Sequence, residues 1–123
     1  MTTATDFSDL AQRYIDTWNQ SDRDALRASV DKLFTADARY VDPLVDAQGR
    51  EAIVATIAAV HEQFPGFEFR LAGPVDGHHD QARFTWELGP DGVEAPIVGF
   101  DVAVTDGNGQ IRSVHGFLDR VPG

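Results

Sequence analysis

From Phe7 to Trp18 the apolar side chains fall at Phe7, Leu10, Ala11, Tyr14, Ile15 and Trp18. Spacings of three and four predict a helix with one buried stripe and with Asp9, Arg13 and Asp16 facing out. Thr5 or Asp6 can cap its start. Residues 19–22, Asn-Gln-Ser-Asp, break this period and offer Ser21 or Asp22 as the cap of a second helix. That helix is expected to run through Leu26, Val30, Leu33 and Phe34. A short strand ending at Asp42 and a loop through Gly49 follow. A third helix covers residues 50–64, with Ile53, Ile57, Val60 and Phe64 on one stripe, and Pro65-Gly66 ends it.

Beyond residue 66 the period becomes two. Phe67, Phe69 and Leu71 alternate with Glu68, Arg70 and Ala72; Ala82, Phe84, Trp86 and Leu88 alternate with Arg83, Thr85 and Glu87. A third run spans Pro96 to Thr105, Asp-Gly-Asn-Gly at 106–109 marks a hairpin, and a last strand covers Ile111 to Leu118. Three helices with one short strand among them, then four successive strands, predict an α+β fold: an antiparallel meander with helices gathered on one face. Residues 1–123 read as a single domain without internal repeats.

Charge and composition narrow the function. Twenty acids against ten bases give a formal charge of −10, which disfavours both the phosphate backbone of nucleic acids and an anionic membrane surface. With no Cys, thiolate catalysis, disulfides and Cys-ligated metals are excluded. The start, Met-Thr-Thr-Ala-Thr-Asp-Phe, lacks the basic head and apolar core of a secretion signal, and no apolar run approaches a membrane span. The expectation is a soluble, cytoplasmic protein.

The chemistry-bearing candidates are acids and a tyrosine. Asp42 precedes Pro43, which forces it into extended geometry, and Leu44 and Val45 beside it could desolvate its carboxyl toward general-base work. Asp-Pro also simply opens turns. Asp101 interrupts a strand, where Asp is depleted. If Val98, Phe100, Val102 and Val104 face one way, Asp101 shares the other face with Gly99, Ala103 and Thr105. That face is either beside a ligand or solvated. Tyr14 and Trp18 lie on the stripe of the first helix, where core packing is the default. The Gly-His-His-Asp run at 77–80 lacks a further ligand at metal spacing and reads as a hairpin tip. His61 suits a helix C-terminus, and His115 could line a cavity with Phe117. No P-loop, dinucleotide fingerprint or nucleophile elbow is present, so no metal or cofactor is expected.

Taken together, AQRYIDTWNQSD, LFTADARYVDP, GREAIVATIAAV and GFDVAVTDGNGQIRSV resemble the nuclear-transport-factor-2-like superfamily, and within it the SnoaL-like proteins. The resemblance implies a conical barrel, with a curved, mainly antiparallel sheet wrapping three helices around an apolar pocket, and a homodimer formed through the sheet. A closer resemblance is to Δ5-3-ketosteroid isomerase. Gln12-Arg13-Tyr14 matches its oxyanion-hole tyrosine, Asp42-Pro43 its proton-shuttling base, and Asp101 its protonated, hydrogen-bond-donating acid. The chain is longer than that pattern between Asn19 and Pro43, and the supporting tyrosines of some isomerases have no evident counterpart. The resemblance implies a cofactor-independent isomerase, or a polyketide cyclase, acting through an enolate on a small apolar carbonyl compound. Trp18, Phe84, Trp86, His115 and Phe117 would then contact the ligand. The alternative on the same fold is a non-catalytic binding or dimerisation module.

Overall fold

The computed structural model describes residues 6–122. Helix α1 (Phe7–Trp18) starts where the Asp6 carboxylate accepts the Asp9 N–H at 3.1 Å; the alternative cap, Thr5, lies outside the described residues. Its stripe of Leu10, Ala11, Tyr14, Ile15 and Trp18 is buried, as the spacing requires. Helix α2 (Arg23–Leu33) is capped by Asp22, which accepts the Ala25 N–H at 2.9 Å. It ends one residue earlier than its apolar pattern suggests, because Phe34 opens strand β1 (Phe34–Val41). Phe34 is fully buried there, and the Arg50 guanidinium donates to its carbonyl at 2.8 Å, so the junction is satisfied without another helical turn.

Strand β2 (Asp46–Gln48) occupies part of what reads as a loop and pairs with β1 through Tyr40 and Ala47. Helix α3 (Arg50–Gln63) follows, then β3 (Glu68–His78), β4 (Gln81–Gly89), β5 (Ile97–Thr105) and β6 (Ile111–Arg120). The six strands form one sheet in the order β2-β1-β6-β5-β4-β3. Four of its pairings are antiparallel and β1 runs parallel to β6. The expected meander is therefore one side of a mixed sheet. Its edges, β2 and β3, do not meet, so the conical barrel implied by the resemblance is open. The two hairpin tips fall as expected: His79 (φ 55°) turns between β3 and β4, and Asp106 accepts the Asn108 and Gln110 N–H groups at 2.9 and 3.0 Å.

Helix α1 lies against β3, α3 against β1, and α2 against α3. Leu26, Val30, Ile53, Ile57, Ile111 and Val114 are almost wholly buried between these layers, each such side chain contributing about 1.5–3 kcal/mol. Strand β5 turns Ile97, Gly99, Asp101, Ala103 and Thr105 to this core, while Val98, Phe100, Val102 and Val104 take the outer face, half-buried. The small side chains face inward because bulky ones reach across from neighbouring elements. A Cβ at Gly99 would sit inside the indole ring of Trp86, its partner on β4. Strand β6 turns Val114 and Gly116 inward, which leaves His115 half-buried and Phe117 57% exposed on the opposite face. None of the helices among the described residues is long and apolar enough to cross a membrane.

Candidate active site

Strand β5 places Asp101 under α1, and there the Tyr14 hydroxyl donates to Asp101 Oδ2 at 2.7 Å. Tyr14 is 2% exposed and Asp101 1%. Of the two readings of Asp101, the solvated one is thereby removed. On one side Asp101 pairs with Phe84 of β4, on the other with Gly116 of β6. Gly116 in turn follows His115, the partner of Val41 at the end of β1, so Asp42 comes to lie beside Gly116. A Cβ at Gly116 would stand 2.8 Å from Asp101 Oδ1 and 3.3 Å from the Asp42 Cβ. The bare glycine makes room for the Asp101 carboxyl on the side facing Asp42.

Asp42 both opens a turn and faces a cavity. Its Oδ1 accepts the N–H groups of Leu44 and Val45 at 2.8 and 3.0 Å, and its own N–H donates to the Val45 carbonyl at 2.9 Å. Its Oδ2 accepts the Tyr40 hydroxyl at 2.6 Å. Two tyrosine–aspartate pairs thus stand side by side, and Trp18 packs on both tyrosines, with ring centroids 6.2 Å from Tyr14 and 5.4 Å from Tyr40. The Trp18 carbonyl lies 2.6 Å from His61 Nε2, which gives that histidine a packing partner in addition to its place at the end of α3.

These groups share a cavity of about 350 Å³. Tyr14, Tyr40, Asp42 and Asp101 supply its hydroxyls and carboxyls. The rest of the wall is mostly aromatic and aliphatic: Trp18, Phe64, Phe69, Trp86, Leu88, Ile97, Leu118 and others, with Leu44 and Val121 largely exposed.

Burial pushes Asp101 up to about 6. The Tyr14 hydrogen bond and the nearby Trp86 indole pull it down, and the charge of Asp42 adds to the rise. Tyr14 and Tyr40 are both held well above the usual phenol value, by burial first and then by the Asp101 charge.

A family model of the SnoaL-like domain matches residues 11–114, nearly the whole span from α1 to β6. The chain belongs to the SnoaL-like family. Among solved structures, this SnoaL-like chain is similar to a candidate isomerase of the same family from Agrobacterium tumefaciens, with 38% identity and a TM-score of 0.88, over 92% of this chain and 97% of that one. It also shares its fold with a candidate polyketide cyclase from Sinorhizobium meliloti, at 19% identity and TM-score 0.70, over 88% and 93% of the two chains. A candidate SnoaL-like polyketide cyclase from Jannaschia matches at 16% identity and TM-score 0.70, over 97% and 92%. No curated protein matches the chain.

Of the residues expected in the SnoaL-like site, Tyr14, Trp18, Asp42, Trp86 and Asp101 come together in the cavity wall. Three do not. Phe84 lies behind the wall against the Tyr14 ring, centroids 5.3 Å apart, while His115 and Phe117 are on the other face of the sheet, because inward Val114 and Gly116 fix the alternation of β6. Leu118, not Phe117, reaches the cavity. Tyr40 is the residue that sequence reasoning missed. Its signal was present: it precedes Asp42 by two positions, and residues two apart on a strand share a face. Its hydroxyl donates to Asp42 Oδ2.

Proposed function

We propose that this SnoaL-like protein catalyses proton transfer α to the carbonyl of a small, largely apolar ketone, through an enolate. The observation that carries this reading is the buried Tyr14–Asp101 hydrogen bond, set beside Asp42 in one wall of a mostly apolar cavity. A carboxylate accepts the proton, and hydrogen-bond donors stabilise the charge that develops on oxygen, an interaction stronger in a dry site than in water. By the ketosteroid isomerase resemblance, Asp42 is the base, while Tyr14 and neutral Asp101 are the donors. The cavity volume of about 350 Å³ is at the small end for ligand sites and suits a compact carbonyl compound. Isomerisation returns the proton to another carbon; a cyclisation would instead use the enolate carbon to attack a second carbonyl. The step as written uses only side chains of this chain.

Proton transfer is read directly by solvent-deuterium incorporation. With 3-cyclohexen-1-one in deuterated buffer, the protein is expected to accelerate exchange at the α position, saturating with ketone concentration, as followed by proton NMR. Ketone binding without any acceleration would identify a binding module and overturn the enzymatic reading.

A further inference from the structure

Four side chains in the cavity wall are exposed: Leu44, Gln63, Val121 and Pro122. They mark its mouth, while Tyr14 and Asp101 lie in its buried part. Three of the four are apolar. Leu44 is 84% exposed and Val121 56%, so the cavity opens to water through an apolar rim.

The topology brings Leu44 and Val121 to the same end of the sheet. β1 and β6 run parallel, with Val41 beside His115, so the turn after β1 and the segment after β6 leave in the same direction. Leu44 lies in that turn, where its N–H donates to Asp42 Oδ1 at 2.8 Å. Val121 directly follows β6, three residues past Leu118 of the cavity wall. Neither position needs an apolar side chain for the fold. A tight turn is served by Gly, Asn, Asp or Ser, and neither residue belongs to the hydrophobic core. Single exposed apolar side chains are ordinary. Here, however, the large exposed ones among the described residues are Leu44, Val93, Phe117 and Val121, and two of these four line one cavity.

The wall also constrains charge. Among the described residues it holds the carboxyls of Asp42 and Asp101 and no Lys, Arg or His, so an anionic ligand would meet no counter-charge. Resting on the proton-transfer reading above for its ketone head, we propose that the ligand is an uncharged ketone with an apolar tail, and that this tail leaves the cavity across Leu44 and Val121. The head lies among the tyrosines and acids. The tail covers apolar side chains that otherwise face water, and each covered methylene strengthens binding by about fourfold. Leu44 and Val121 thus set selectivity for the tail, apart from the groups that act on the carbonyl. A tail contact of this kind is equal in ground and transition states, so a longer tail lowers KM and leaves kcat unaltered.

The test is the affinity of 2-alkanones from 2-hexanone to 2-dodecanone, in steps of two carbons, for wild type, Leu44→Gln and Val121→Thr. Binding is read by the fluorescence of Trp18 and Trp86, both in the cavity wall. These ketones lack a β,γ double bond and bind without isomerising, so the tail is read separately from the reaction. Both substituted side chains are exposed, so neither change opens a void in the core. Gln at position 44 keeps the backbone N–H that Asp42 accepts.

In wild type the dissociation constant is expected to fall about fourfold per methylene through 2-dodecanone. On the last step, from 2-decanone, the gain in either variant is expected to shrink to less than about twofold per methylene. Undecanoate carries the tail of 2-dodecanone on a carboxylate, and is expected to bind wild type at least about tenfold more weakly. A wild-type series that levels off before 2-dodecanone would mean that the cavity encloses the tail, and would overturn the proposal. So would variants that keep the wild-type gain on the last step, or undecanoate that binds as tightly as the ketone. A kept gain together with a changed light-scattering mass in Leu44→Gln would assign the rim to a second copy of the chain instead. If the expected pattern holds while wild type exchanges no deuterium into 3-cyclohexen-1-one, the tail site stands and the proton-transfer reading alone falls.

Discussion

Between pH 3 and pH 8 the wild-type fold is expected to lose about 3 kcal/mol of stability relative to the Asp101→Asn variant. Asp101 moves from an ordinary value of 3.8 in the unfolded chain to about 6 in the fold, and each unit corresponds to about 1.4 kcal/mol. The sign follows from proton binding. Between the two values the folded chain holds the Asp101 proton more tightly than the unfolded chain. This contribution is therefore fully present below about 4 and is lost as pH rises through about 6. Asn cannot titrate, and any fixed effect of its amide shifts the whole curve without changing its slope. Urea unfolding at several pH values, on both proteins, reads the difference. Parallel curves would mean that Asp101 is solvated in the fold. A penalty of this size is large against a typical stability of about 5–15 kcal/mol. A site that needs a carboxyl away from water gives a reason for a fold to tolerate it.

Gly99→Val is expected to destabilise the fold by about 3 kcal/mol, at the upper end of what overpacking does in cores. Trp86 lies directly across from Gly99 and its indole covers the glycine, leaving no space for a β-carbon. The same indole packs edge-on against Phe69, centroids 5.4 Å apart, and forms part of the cavity wall. A valine side chain must drive the indole away or part the strands, and either change disturbs the cavity as well as the core. The urea midpoint of the variant, with Trp86 fluorescence read in a Trp18→Phe background, measures both consequences. A stability within about 0.5 kcal/mol of wild type, the range of ordinary surface changes, would show that the indole has room to move.

Much of this architecture was legible from local pattern. The first helix has its expected bounds because six apolar positions recur on one stripe and a cap precedes them. The end of α2 was not legible: Phe34 continues the apolar run, and nothing between Leu33 and Phe34 breaks a helix. β2 is three residues long, with only Ala47 buried, too short to show a period. The parallel β1–β6 pairing joins segments some seventy residues apart in sequence, and no local signal specifies it. β5 shows why periodicity alone misleads at a site. Period two separates Asp101 from the valines but does not say which set faces the core. Here rings from α1 and β4 fill the interior, and β5 contributes the small side chains and the acid. The same ambiguity on β6 made His115 and Phe117 look like cavity residues. Asp42, Tyr14 and Asp101 stood out by residue type and by resemblance. Their hydrogen bonds, and the part played by Tyr40, required the fold.

The most direct test of a desolvated Asp101 at the centre of a ligand site is its own titration, followed by carbon-13 NMR of the side-chain carboxyl with and without 3-cyclohexen-1-one. The expected midpoint is about 6 in the free protein, with a displacement when the ketone fills the cavity. A midpoint near the ordinary 3.8, unmoved by saturating ketone, would contradict the account.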